Sequence, residues 1–325
     1  MSDPGVRSDV RRWLVTGATG FVGKAVVARL AFEDSCIPVA GCRRDVSLPG
    51  NAELAVTPSL GPDADWSGAL QGVETVVHTA ARVHVMDEDA ADPLAEYRRA
   101  NVEGTLALAR QAAQAGVRRF VFVSSIKVNG EQTATGSAFS AADAPAPVDP
   151  YGVSKAEAEA GLFALGRETG MEIVVVRPPL VYGPGVGGNF ARMMQWVARG
   201  VPLPLGAVDN RRSLVGLDNL VDLLVTCLEH PAAANRVFLA GDGEDLSTTD
   251  LLHRVAAAMG RRARLVPVPP VLLRAGARAV GRGEMARRLL DSLQVDISHT
   301  RETLGWEPPV SVDEGLRRAV VSLVG

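Results

Sequence analysis

Lysine is nearly absent from this chain. Of its 34 basic residues only Lys24, Lys127 and Lys155 are lysines, and the rest are arginines. With 37 acidic residues the formal net charge is −3, so the electrostatic footprint that nucleic-acid binding requires is missing. Cysteine is scarce too. Cys36, Cys42 and Cys227 have neither metal-ligand nor redox spacing, and their odd number argues against a disulfide framework. That usage reads as a reducing, cytoplasmic compartment. His78, His84, His230, His253 and His299 stand singly, without the paired spacing of a ligand set, so no metal site is expected. No apolar run reaches the ~20 residues of a membrane-spanning helix. Residues 1–11 are polar and carry no apolar h-region, so no signal peptide is expected. Internal repeats and low-complexity tracts are also missing.

What is present suits a globular protein of one or two domains: 325 residues, 47% hydrophobic and 22% charged, enough to bury a large core. Short apolar runs at 37–42, 74–78, 120–124 and 172–177 read as strands, with 100–115 and 151–166 as the clearest helices between them. Such alternation specifies an α/β fold, a Rossmann-type doubly wound parallel sheet with right-handed crossovers. The pattern becomes irregular after Pro178, with proline breaks at Pro202, Pro204, Pro267, Pro270, Pro308 and Pro309. The expected division is therefore a sheet domain over 1–178, rejoined by 212–240, and a smaller lobe over 179–325. The long stretch 131–150, rich in Gly, Ala, Ser and Pro, connects a strand to a helix, and a loop of that length is usually functional.

Three motifs carry chemistry. Arg12-Trp13-Leu14-Val15-Thr16 runs into Gly17-Ala18-Thr19-Gly20-Phe21-Val22-Gly23 and then into helical spacing, which is the strand, glycine turn and helix of a dinucleotide site. Gly17 permits the tight turn, Gly20 lets backbone approach a pyrophosphate, and Gly23 lets helix and strand pack closely. The unpaired N–H groups at the helix start then face the phosphates. The second motif is the run 119–123 ending in Ser124 and Ser125, two hydroxyls at the carboxyl end of a strand, where ligands of open parallel sheets sit. In the third, Tyr151 and Lys155 stand four apart and so share a helix face. Asp149 reads as the N-cap and Pro150 as the first-turn proline that fix the helix start. A free Tyr has a pKa near ~10 and is a poor base at neutral pH, but an adjacent ammonium favours the phenolate. Alone, each motif has a bland alternative: a glycine loop, a pair of turn-forming serines, a solvated helix face. Their convergence on one sheet edge points to proton and hydride chemistry.

These stretches, together with Val76-Val77-His78-Thr79-Ala80-Ala81, Asn101-Val102-Glu103-Gly104-Thr105, Val128-Asn129-Gly130, Arg177-Pro178-Pro179, Tyr182-Gly183-Pro184-Gly185 and Leu304-Gly305-Trp306, resemble the extended short-chain dehydrogenases/reductases of the NAD-dependent epimerase/dehydratase family over nearly the full length. The resemblance implies an enzyme acting on a UDP-sugar, working as a homodimer. It aligns Ser125, Tyr151 and Lys155 with the family's catalytic residues. It implies dinucleotide contacts from Gly17, Thr19, Gly20, Phe21, Val22, Gly23, Thr79, Ala80, Ala81, Asn101, Ser124, Tyr151, Lys155 and Pro178. Ser125, Lys127, Asn189 and Arg212 are implied on the substrate side. Asn129 stands where the family usually has Tyr.

At the end of the second strand, where NAD binders place an acid about 20 residues beyond the glycine turn, this chain has Arg43 and Arg44. A guanidinium suits a 2′-phosphate and cannot accept a ribose hydroxyl, so the expectation is NADP(H) over NAD(H). Two solvated surface arginines are the alternative. Ser59 and Leu60 stand where the family often has an adenine-binding Asp. The family's dehydratases set an acidic pair after the catalytic hydroxyl residue; Ile126 and Lys127 here disfavour elimination. Ser124 to Gly130 and Asn210 to Leu214 resemble a bacterial subgroup making UDP-N-acetylated deoxyhexosamines for surface polysaccharide, UDP-N-acetylquinovosamine 4-ketoreductases among them. The expected reaction is therefore reduction of a UDP-4-keto, N-acetylated 6-deoxyhexose, with a UDP-hexose 4-epimerase carrying tightly bound NAD as the first alternative. A non-catalytic dinucleotide sensor is the second. The arginine-rich stretch 274–288 reads as a solvated helix face or a partner surface.

Overall fold

A computed structural model describes residues 10–83, 92–134 and 136–324. His84 and most of the opening polar segment lie outside them. Among the described residues the main sheet has seven strands: β1 (Arg11–Thr16), β2 (Cys36–Cys42), β3 (Glu53–Val56), β4 (Thr75–His78), β5 (Arg119–Val123), β6 (Glu172–Arg177) and, after the β7 and β8 named below, β9 (Arg236–Leu239). Their order is β3-β2-β1-β4-β5-β6-β9, the doubly wound arrangement, and the sheet is parallel. Parallel strands are covered on both faces, which is why β4 and β5 are buried along their whole length, with Val76-Val77 and Phe120-Val121-Phe122-Val123 as their apolar stretches. Strand order reverses between β1 and β4, which pair in register from Trp13 opposite Thr75 to Thr16 opposite His78.

A second sheet of three strands has the order β10-β8-β7, from β7 (Leu180–Tyr182), β8 (Arg212–Gly216) and β10 (Asp245–Leu246). β7 runs parallel to β8, and β10 antiparallel to it.

The helices that matter for the site are α1 (Phe21–Leu30), α2 (Pro93–Tyr97), α3 (Thr105–Gln114) and α4 (Pro150–Thr169). A π-helical segment, Arg98–Gly104, joins α2 to α3. Then follow α5 (Gly188–Ala198), α6 (Leu217–Glu229), α7 (Thr248–Ala258), α8 (Pro270–Ala279), α9 (Gly283–Leu290), α10 (Ser298–Leu304) and α11 (Val312–Val324).

The chain packs into two compact units. One comprises the described parts of Met1–Val123, Glu157–Val175 and Ala234–Arg236; the other Ser124–Ala156, Val176–Ala233 and Val237–Gly325. The second has its own apolar core, in which Tyr182, Phe190, Met194, Leu214, Leu252 and Leu316 are buried together. Among the described residues no helix is long and apolar enough to cross a membrane, and no group of three or more potential ligands could hold a metal ion.

Candidate active site

In the first unit the glycine turn follows β1. Gly17 adopts φ +67°, a left-handed conformation that costs a side-chain-bearing residue about 1–2 kcal/mol. A Cβ on Gly23 would stand 2.3 Å from the Gly17 carbonyl oxygen and 2.6 Å from Thr79 Oγ1, so only glycine allows helix and strand this approach. α1 begins at Phe21 behind Gly20, an N-cap without a side-chain hydrogen bond, which leaves its first N–H groups to a ligand. A turn with glycine-only approaches, opening on an uncapped helix start, fits the diphosphate of a dinucleotide.

Thr79, Ala80 and Ala81 follow β4 directly, at the point where strand order reverses. Thr79 Oγ1 donates to the Thr16 carbonyl at 2.7 Å and ties the two strand ends together. Beneath them buried His78 is held between Thr16 Oγ1 (2.7 Å) and Thr105 Oγ1 (3.0 Å), a core position with both ring nitrogens bonded rather than a ligand. Asn101 is buried in the π-helical segment. Its amide accepts from the Arg82 N–H at 2.8 Å and donates to the Arg82 carbonyl at 3.0 Å, so it clamps the segment after β4. Arg43 and Arg44 follow β2 and are both exposed. A Cβ on Gly104 would meet the Gly61 nitrogen at 2.7 Å, so the loop containing Leu60 is packed on that helix.

In the second unit Ser124 and Ser125 lead into a single 3₁₀ turn, Ile126–Val128. The Ser125 hydroxyl caps it, accepting from Lys127 N–H at 3.2 Å. Ser124 N–H donates to the Val176 carbonyl (2.8 Å) and Ile126 N–H to that of Pro178 (3.0 Å), which fixes the turn. α4 begins as its sequence requires: Asp149 Oδ1 accepts from Gly152 N–H at 2.7 Å, with Pro150 in the first turn. The other Asp149 oxygen accepts from Lys127 Nζ, which also donates to Glu131 at 3.2 Å. Gly152 packs so tightly on this turn that a Cβ there would be 2.8 Å from the Lys127 carbonyl oxygen. The serine turn and the first turn of α4 are thus one assembly, joined by Lys127 and Asp149. The family resemblance puts Lys127 on the substrate side; in the structure its ammonium donates to two carboxylates of the chain, Asp149 and Glu131.

On α4, Lys155 is 2% exposed and its Nζ lies 6.0 Å from the centre of the Tyr151 ring, as the i, i+4 spacing required. Tyr151 and Ser125 are half-buried, so both remain accessible. Asn129 is buried, accepts from Arg177 Nη1 at 2.9 Å and donates to the Ser140 carbonyl at 3.1 Å, a structural role that its place in the motif did not reveal.

Asn189 is exposed at the start of α5. Arg212, on β8, donates to the Asp291 carbonyl at 3.0 Å; burial pushes its pKa down and Asp291 opposes that. Asp291 also takes Arg274 Nη1 on its side chain at 2.6 Å. Arg274, Arg278 and Arg287 line a cavity of about 320 Å³ between α8 and α9, with Gly283 and Ala286. The sequence alone reads these arginines as a solvated helix face or a partner surface; Arg274 and Arg278 stand four apart on α8, whereas Arg287 is contributed by α9.

The sequence profile of the NAD dependent epimerase/dehydratase family matches residues 13–241. The chain belongs to that family. It is an enzyme of the NAD dependent epimerase/dehydratase class. It is 46% identical over 306 residues to the UDP-glucose 4-epimerase of Vibrio cholerae, covering 94% of this chain and 93% of that protein. Among solved structures, the UDP-glucose 4-epimerase of Thermotoga maritima, crystallised with UDP-glucose, superposes with a TM-score of 0.74 at 25% identity, covering 96% of this chain and 98% of that one. MoeE5, solved with UDP-glucuronic acid and NAD, superposes with a TM-score of 0.77 at 26% identity and the same coverage.

Proposed function

We propose that this family member is a UDP-hexose 4-epimerase. The observation that carries the reading is the 46% identity to a UDP-glucose 4-epimerase along 94% of the chain. It displaces the expectation of 4-keto reduction, which rested on shorter resemblances and on Arg43 and Arg44. The chain's own chemistry supports it. Lys155, buried beside the Tyr151 ring, stabilises the phenolate electrostatically, so Tyr151 accepts the proton of a sugar C4 hydroxyl and later returns it. Ser125 donates a hydrogen bond to the same oxygen and stabilises its developing charge. The dinucleotide, when bound, supplies a hydride acceptor and donor. Gly17, Thr19, Gly20, Phe21, Val22 and Gly23 hold its diphosphate, and Thr79, Ala80, Ala81, Ser124 and Pro178 border it. Asn101 acts on that border by clamping Arg82.

Arg212 and Asn189 take the nucleotide diphosphate of the substrate. The arginine-lined cavity joined to Arg212 through Asp291 supports a strongly anionic ligand there. In this reading 1–178, rejoined by 212–240, carries the dinucleotide, and 179–325 mainly carries the sugar nucleotide. The chain works as a cytoplasmic homodimer. A second reading, an NADPH-dependent 4-ketoreductase, is favoured by the exposed Arg43 and Arg44 at the end of β2. One experiment separates the two. Purified protein without added cofactor is given UDP-glucose, and nucleotide released on denaturation is identified. UDP-galactose formation with stoichiometric released NAD supports the epimerase. Turnover that requires added NADPH and a 4-keto sugar overturns it.

A further inference from the structure

Among the described residues, α8 leaves an aliphatic face without a partner. None of its residues is buried. Leu273 and Ala277, one turn apart, pack against the apolar core of the second unit. At 100° per residue the opposite side presents Val271, Leu272, Ala275 and Ala279 as a continuous strip. Val271 is 74% exposed and Leu272 61%; Val280, just beyond the helix, is 69% exposed and Met285 on α9 is 38% exposed. Single exposed aliphatics are ordinary on a protein surface, whereas a contiguous set on one helix marks an interaction site.

Charge identifies the occupant. Between positions 261 and 288 the sequence has eight arginines and one acid, Glu284, in a chain whose net charge is −3. Arg261, Arg262, Arg264 and Arg282 are exposed and lie outside the arginine-lined cavity. The aliphatic strip therefore sits in the most basic stretch of an otherwise acidic chain. Val, Leu and Met side chains with exposed arginines on both sides of them in the sequence suit a surface that is apolar within and anionic at its rim. Arginine reaches past an apolar contact to keep its head at such a rim. At about 15 Å, a ten-residue helix is long enough to lie in an interface and far too short to span one.

We infer that the outer face of α8, with Val280 and Arg282, docks the enzyme reversibly on an anionic lipid surface. Val271, Leu272 and Val280 enter the boundary between headgroups and acyl chains, and Arg282 meets a lipid phosphate. The inference does not depend on which sugar-nucleotide reaction the site performs.

The test is flotation of the full chain with vesicles of pure phosphatidylcholine or of equal parts phosphatidylcholine and phosphatidylglycerol. The expected result is at least about tenfold stronger partition onto the anionic vesicles, weakened by salt. The triple variant Val271→Ser, Leu272→Ser, Val280→Ser and the separate variant Arg282→Glu should each lose most of that partition while keeping the turnover of the parent. An unchanged partition in both variants, or none by the parent, overturns the inference. So does a variant that changes the sedimenting mass of the protein without lipid, because the face is then covered by a second copy. Preference for an acidic polypeptide such as polyglutamate over the anionic vesicles also overturns it.

Discussion

Replacing Lys127 with Met keeps the length of the side chain and removes its charge. In the native enzyme that ammonium donates to Asp149, whose second oxygen caps α4 one residue beyond Tyr151. A charge-assisted hydrogen bond contributes about 1.5–3 kcal/mol when buried and an exposed ion pair about 0–1 kcal/mol. The side chains of Lys127 and Asp149 are about a quarter and a fifth exposed, so this pair falls between the two, and Lys127→Met should cost about 1–2 kcal/mol. Asp149→Ala removes the cap as well and should cost more, by about 1 kcal/mol. Because the pair joins the Ser125 turn to the Tyr151 helix, both variants should lower kcat by about tenfold with a smaller change in KM, the pattern of a disturbed reacting geometry. Denaturant midpoints give the first quantity and steady-state kinetics the second. If Lys127→Met is as stable as the parent and raises KM alone, the clamp is refuted and Lys127 touches substrate instead.

Two further outcomes follow from the same structure. Gly23→Ala places a methyl group 2.3 Å from a carbonyl oxygen that belongs to the glycine turn itself, so relief requires backbone movement. A loss of about 1–3 kcal/mol in thermal or chemical stability is expected, with weakened dinucleotide retention measured by fluorescence titration. Asp242 accepts from Tyr182 Oη, Gly216 N–H and Asn219 Nδ2, yet burial outweighs these bonds and holds its carboxyl above the usual range. The folded state thus binds the proton more tightly than the unfolded one, and stability contributed by this group falls as pH rises through that raised value. The stability of the parent relative to Asp242→Asn should therefore decline from pH 4 toward neutrality; a rise over that interval would contradict the dominance of burial.

The parts of the fold readable in the sequence are those with local physical causes. Strands buried on both faces appear as apolar runs, and β6 was expected at 172–177, where it stands. Asp149 and Pro150 announced the start of α4 because capping is decided within four residues. The glycine turn was legible because a left-handed Gly17 and a crowded Gly23 admit no other residue. Elsewhere the causes are distant in sequence. β3 is four residues long and largely exposed, without a period to detect. The helix expected from residue 100 begins as a π-helical segment at Arg98, within which Asn101 clamps Arg82 from 19 residues away. The small β10-β8-β7 sheet unites strands separated by dozens of residues. The arginine-lined cavity exists because α8 folds against α9, a tertiary event that spacing along a helix does not announce.

The most direct measurement of the central claim is the Tyr151→Phe variant, assayed in parallel for UDP-glucose to UDP-galactose conversion and for bound dinucleotide. The variant keeps the ring beside Lys155 and loses only the phenolic hydroxyl that would carry the proton. Conversion should fall by at least about a hundredfold, within the range contributed by a general acid/base, while dinucleotide content stays that of the parent. Conversion within severalfold of the parent would contradict the account, because the phenol would then not be the group that moves the proton.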